Sequence, residues 1–226
     1  MPFDINQEIF DEDFDEQKMF AYQQELASLF GQSPEAKAFL EEDENYSLSW
    51  ADTLVEFGLR YLEVIPPDLT PAAMREILYE LFPQKVLFPD FDAVEAIHEL
   101  RAFWNFLKRE FGLENADACL NALDDKAIDK FDKAMNDPAN FGISKSMFVM
   151  GQARGFDLST EEGINKWMMT YNAELTAGTG TPVPFPGETG PQAAQARRQM
   201  KSALRKDRRK RKIAAKSRKQ NRKKRK

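Results

Sequence analysis

Residues 90–111 read DFDAVEAIHELRAFWNFLKREF, and their spacing decides the fold. Val94, Ile97, Leu100, Phe103, Trp104, Phe106, Leu107 and Phe111 recur at helical intervals, not with the alternation of a strand. Asp90 or Asp92 can cap the first turn, and Gly112 stands where the pattern stops. In the second half apolar residues cover more than one face, as in a helix packed on several sides. This segment is expected to be the core helix around which the others assemble.

On its N-terminal side the helical punctuation is dense. Met19, Tyr22, Leu26, Leu29 and Phe30 share a helical period that stops at Gly31. Ser33-Pro34-Glu35 is a start signal: a hydroxyl cap, proline in the first turn and an acid at the positive end of the dipole. Residues 47–64 form an amphipathic pattern that ends at Pro66-Pro67. Thr70-Pro71 opens another, with Met74, Ile77, Leu78, Leu81 and Phe82, which stops at Pro83. Gln84 to Phe88 reads as a buried connector, because a lone strand would have no partner.

C-terminal to the core helix, shorter helices are expected over Asn115–Leu123, Asp124–Met135 and Ile143–Arg154, the last closed by Gly155. Ser159 and Glu162 have capping-box spacing before a helix with Ile164, Trp167, Met168 and Tyr171. No segment sustains period-2 alternation, so the expected fold class is all-α: a single multi-helix globular domain with a disordered basic tail.

The boundaries follow from composition. Residues 1–175 form an acidic helical domain, with 1–20 a loosely ordered arm in which Phe3, Phe10, Phe14 and Phe20 alternate with acids. Residues 176–191, with four prolines and four glycines, are linker chemistry. Such a linker spans about 20–25 Å, against a radius of gyration near ~16 Å for the domain. A tail at 192–226 can therefore reach a partner or fold back.

That tail carries the strongest functional signal. From Arg197 to Lys226 there are 18 Lys and Arg against one acid, Asp207, while residues 1–196 hold 14 bases and 36 acids. The chain's net charge of −5 is thus a near-cancellation of +17 and −22. Such asymmetry points to a polyanion-binding tail. The candidate phosphate-binding residues are Arg197, Arg198, Lys201, Arg205, Lys206, Arg208, Arg209, Lys210, Arg211, Lys212, Lys216, Arg218, Lys219, Arg222, Lys223, Lys224, Arg225 and Lys226. Repulsion between like charges disfavours an isolated helix there, so disorder, or helix on binding, is expected. The tail has no aromatic residue, so bases cannot stack on it and backbone charge would be read with weak sequence preference. Structured RNA is favoured slightly over DNA.

Other chemistry is sparse. His98 and Cys119 are the only residues of their types, which excludes Cys/His zinc sites and histidine-based triads within one chain. His98 reads as a core or boundary histidine with one satisfied ring nitrogen. Cys119 reads as a small buried hydrophobe, and Met147, Met150, Met168 and Met169 as core filler. Asp11, Asp13 and Asp15 resemble the opening of a calcium loop, but Glu16 stands where glycine is needed and Tyr22 where a bidentate acid is needed. No catalytic, cofactor or metal residue is nominated, and a non-enzymatic protein is expected.

A single cysteine, an acidic N-terminus and the lack of a long apolar run suit a cytoplasmic protein without a membrane role. The two basic clusters would suit a bipartite nuclear address in a host with a nucleus. The competing function is an autoinhibited, chaperone-like adaptor whose tail masks its own acidic domain until a protein partner or polyanion displaces it.

Overall fold

The computed structural model describes residues 3–10, 15–87, 91–185 and 187–223, with backbone alone at 207, 208, 211, 212 and 214–223. The fold is all-α, with no strand among the described residues. Contacts group the chain into two compact units, Met1–Phe82 with Phe88–Ala134, and Pro83–Leu87 with Met135–Lys226.

The first unit is built on the stretch that decided the fold. In chain order its helices are α1 Glu16–Gln32, α2 Pro34–Glu42, α3 Trp50–Phe57, α4 Pro71–Glu76, α5 Phe82–Lys85, α6 Ala93–Phe111, α7 Ala116–Ala122 and α8 Asp125–Asn136, although α5 beyond Phe82 and the last two residues of α8 belong to the second unit. As expected, α6 is central: it packs against α2, α3 and α7. Its Ile97, Leu100, Phe103, Trp104, Phe106 and Leu107 are buried. Asp92 caps it, accepting from the Val94 N–H at 2.8 Å, and Gly112 ends it in the left-handed region at φ 66°. Asp90 and Phe88 lie outside the described residues. Phe30 meets Phe103 edge-on at 5.2 Å, and Trp50, Phe57 and Phe131 surround Phe82 at 5.0–6.1 Å. Each buried aromatic contributes about 1.5–3 kcal/mol by area alone.

Three expectations change here. Helix α1 runs through Gly31, because Ser33 both ends it and caps α2, its hydroxyl accepting from the Ala36 N–H at 3.1 Å. The chain does not stop at Pro83 but stays helical to Lys85, so Gln84 and Lys85 belong to α5 and not to a connector. A π-helical turn at Ile77–Leu81 precedes the proline. Widening of that turn accommodates a residue that cannot donate and whose ring crowds the carbonyl four positions back. The arm is not frayed over residues 3–10. Ile5 and Ile9 are buried, and the Tyr22 hydroxyl donates to the Ile5 carbonyl at 3.0 Å. Asp11, Asp13 and Phe14 lie outside the described residues.

The second unit contains α9, Ile143–Ala153; α10, Glu161–Thr176; and α11, Pro191–Lys223. Its core joins Phe141, Val149, Met150, Leu158, Trp167, Val183, Ala196 and Met200. At Gly151 a Cβ would lie 2.8 Å from Leu158 and 2.9 Å from the Trp167 ring, so the missing side chain lets the indole seat against α9. Gly155, at φ 90°, follows α9 as expected. The cap of α10 is Thr160, whose Oγ1 accepts from the Gly163 N–H at 3.1 Å. Ser159 is drawn away instead, donating its hydroxyl to Asp157 at 2.6 Å.

Candidate nucleic-acid interface

The basic segment does not begin as a free tail. Helix α11 starts after Gly190 with Pro191, and its first three turns bury Ala193, Ala196 and Met200, with Leu204 packed at the edge of the same core. These residues recur every three or four positions, an apolar stripe that lies on α9. The second unit's core thus includes residues of both the 176–191 stretch and the start of the 192–226 segment.

The linker is tied down by side chains. Val183 is buried and its N–H donates to the Tyr171 hydroxyl at 2.9 Å. Arg197 donates to the carbonyls of Glu188 at 2.5 Å and Phe185 at 3.2 Å, and the Phe185 N–H donates to Glu188 Oε2 at 2.8 Å. Arg197, one of the expected phosphate ligands, is thus engaged in closing its own loop.

The other described bases fall on the opposite side. Arg198, Lys201, Arg205, Lys206 and Arg209, with Ser202, line an open depression of about 370 Å³. At 100° per residue they cover a sector of about 140° facing away from the buried stripe. The side chains of Arg198, Lys201, Arg205, Lys206 and Arg209 are all exposed to solvent. Lys210 is also exposed. Arg208, Arg211, Lys212, Lys216, Arg218, Lys219, Arg222 and Lys223 lie on the helix at positions described by backbone alone. Lys224, Arg225 and Lys226 lie outside the described residues. From Arg205 onward no described side chain of α11 is buried.

No family model, curated protein or solved structure matches this chain.

The remaining reactive groups are placed as follows. His98 Nδ1 lies 2.8 Å from Glu42 Oε2 at the boundary of the first unit, as expected. Cys119 is buried, its thiol donates to the Leu69 carbonyl at 3.5 Å, and burial pushes its pKa up to about 11. That environment disfavours the thiolate needed for nucleophilic work. No cluster of three or more His, Cys, Asp or Glu suits a metal ion among the described residues. No helix there is long and apolar enough to cross a membrane.

Two buried charges were not anticipated. Glu99, on α6, accepts from the backbone N–H groups of Ser49, Trp50 and Ala51 at 3.0, 3.0 and 2.8 Å. Burial nonetheless raises its pKa to about 7. Lys145, on α9, lies 4.3 Å above the Phe141 ring and donates to the Met135 carbonyl at 3.4 Å. Burial lowers its pKa to about 7. One signal for Glu99 was available, since it falls on the face of α6 shared by Ala96 and Phe103. No comparable signal marks Lys145.

Proposed function

We propose that this is a non-enzymatic nucleic-acid-associated protein that uses the outer face of α11 to bind phosphate backbones. The observation that carries this reading is the opposition of faces. The apolar stripe through Ala196 and Met200 roots the helix, so Arg198, Lys201, Arg205 and Arg209 are presented together to solvent on the other side. A rooted helix pays less ordering entropy on binding than a free basic chain does. Arg supplies bidentate contacts to phosphate and Lys a mobile point charge.

A salt-dependent titration tests the reading, with a labelled structured RNA and a DNA duplex of equal charge as probes. The full chain is compared with a chain ending at Leu204, which retains the buried stripe, and with a variant carrying Gln at Arg198, Lys201, Arg205 and Arg209. If ~6–10 cations meet phosphate, affinity falls about 10³–10⁵-fold between 50 and 200 mM salt. The shortened chain loses most of that dependence, and the Gln variant loses about four counterions' worth of slope. Equal affinity of the shortened and full chains would overturn the proposal. Weak binding by the full chain that strengthens when domain acids are neutralised would favour the autoinhibited adaptor.

A further inference from the structure

Helix α10 is held to its unit by few residues. Gly163 and Trp167 are its buried positions. The Trp167 indole donates to the Met147 carbonyl at 3.0 Å, and Tyr171 is half-buried at the core's edge. Another flank is apolar and uncovered. Ile164 is 44% exposed, Met168 42%, Leu175 38% and Met169 73%. The expectation of core filler thus holds for Met150 and fails for Met168 and Met169.

The spacing is ordered. Ile164, Met168, Tyr171 and Leu175 recur at alternating intervals of four and three residues, the 3.5-residue period of a seam between packed helices. The seam is about 16 Å long. Isolated surface hydrophobics need no explanation, but a contiguous apolar strip with a polar rim marks an interaction site. Methionine, flexible and polarizable, suits a surface that adapts to its partner.

The rim selects the occupant. From Arg154 to Thr176 the sequence carries Asp157, Glu161, Glu162 and Glu174 against Arg154 and Lys166, a net charge of −2. Lys166 pairs with Glu162 at 2.6 Å, and Glu174 pairs with Arg154 at 2.5 Å. The last turn of α10 has no base to offset the negative end of the helix dipole. An amphipathic helix that lies on anionic membrane carries Lys and Arg on its polar face, whereas this one carries acids. The chain's own basic helix does not fit the seam, because the apolar stripe of α11 is already buried within its unit.

We infer that this flank of α10 docks a cationic amphipathic helix of another protein, whose apolar residues pack between Ile164, Met168 and Leu175 while its bases meet the acidic rim. The probe is a fluorescent Leu/Lys model peptide of about 18 residues, long enough to hold a helix. A peptide of the same composition in non-amphipathic order and vesicles of anionic phospholipid serve as comparisons.

The decisive variant of the full chain is Ile164→Glu with Met168→Glu. It adds two negative charges, so attraction by charge alone would tighten binding of the cationic peptide, whereas loss of apolar docking weakens it about tenfold or more. A second variant, Ile164→Ala with Met168→Ala, leaves the charge unchanged and is expected to weaken binding about threefold to tenfold. Both positions are exposed, and an unchanged far-ultraviolet dichroism spectrum checks that the fold persists. Equal binding of the two peptides, tighter or unaltered binding by the Glu variant, or binding of vesicles in preference to the amphipathic peptide would each overturn the inference.

Discussion

Glu99 in α6 and Lys145 in α9 are both withdrawn from water, one in each unit, but their surroundings serve them differently. The carboxylate receives three backbone N–H groups within 3.0 Å. The ammonium has one carbonyl at 3.4 Å and the face of a ring. Beside it the Ser146 hydroxyl is buried with no hydrogen-bond partner among the described residues. The difference teaches what each charge does. Ser49, at the start of α3, makes no side-chain capping bond. Glu99 supplies that cap from another helix, satisfying donors that a helix start leaves open and placing an acid at the positive end of its dipole. The acid is part of the architecture, whereas the lysine is a charge that the packing tolerates.

The largest effect expected from breaking this contrast is at Glu99. Glu99→Leu keeps the bulk but orphans three backbone N–H groups, two of them buried, and should cost about 3–5 kcal/mol. Glu99→Gln should cost less, about 1–3 kcal/mol. Its amide oxygen can still accept from Ser49 and Ala51, while its NH₂ faces the N–H of Trp50. Urea unfolding of the two variants checks the order. If Leu is tolerated as well as Gln, Glu99 is not a cap.

The pH dependence of stability separates the two groups next. The folded pKa of Glu99 is raised from 4.5 to about 7, so the folded state holds the proton more tightly than the unfolded chain does. Its contribution to stability therefore falls as pH rises through that window and is level above it, a loss on the order of 3 kcal/mol. The nearby Glu95 carboxylate acts in the same direction. Lys145 is lowered from 10.5 to about 7, so its unfavourable contribution is full below 7 and is relieved as pH rises toward 10.5. Unfolding midpoints across pH should show the acid-side slope vanish in Glu99→Gln and persist in Lys145→Met.

Most helices were legible because periodicity and capping are local. Asp92, Ser33, Thr70 and Gly112 do what their spacing announces, and α6 is the core helix that its apolar residues describe. What was not legible depended on distant partners. Nothing adjacent to Pro83 announces the π-helical turn that lets the helix run on. The Pro- and Gly-rich stretch at 176–191 has linker composition, but Val183, Tyr171 and Arg197 fasten it through contacts 9 to 12 residues apart. The same holds for the candidate site. Charge counting found the bases of the tail, but only the packing of Ala193, Ala196 and Met200 separates the outward face of α11 from Arg197. The exposed side of Met168 was hidden because its period also suits a buried stripe.

The smallest expected effect is the one that tests the other half of the comparison. Lys145→Met preserves an unbranched chain of similar length and removes the cost of burying an ammonium. It also places a thioether near Phe141, a contact worth about 0.3–1.5 kcal/mol. What it gives up is a 3.4 Å hydrogen bond to a carbonyl and the cation–ring attraction. Replacing buried charges by apolar groups of similar volume is commonly neutral or stabilising. Stability near neutral pH should therefore fall by no more than about 1 kcal/mol, if it falls at all, with the alkaline slope abolished. A loss of more than about 2 kcal/mol would mean that the ammonium holds the end of α8 against α9 as firmly as Glu99 holds the start of α3, and the contrast between the two buried charges would collapse.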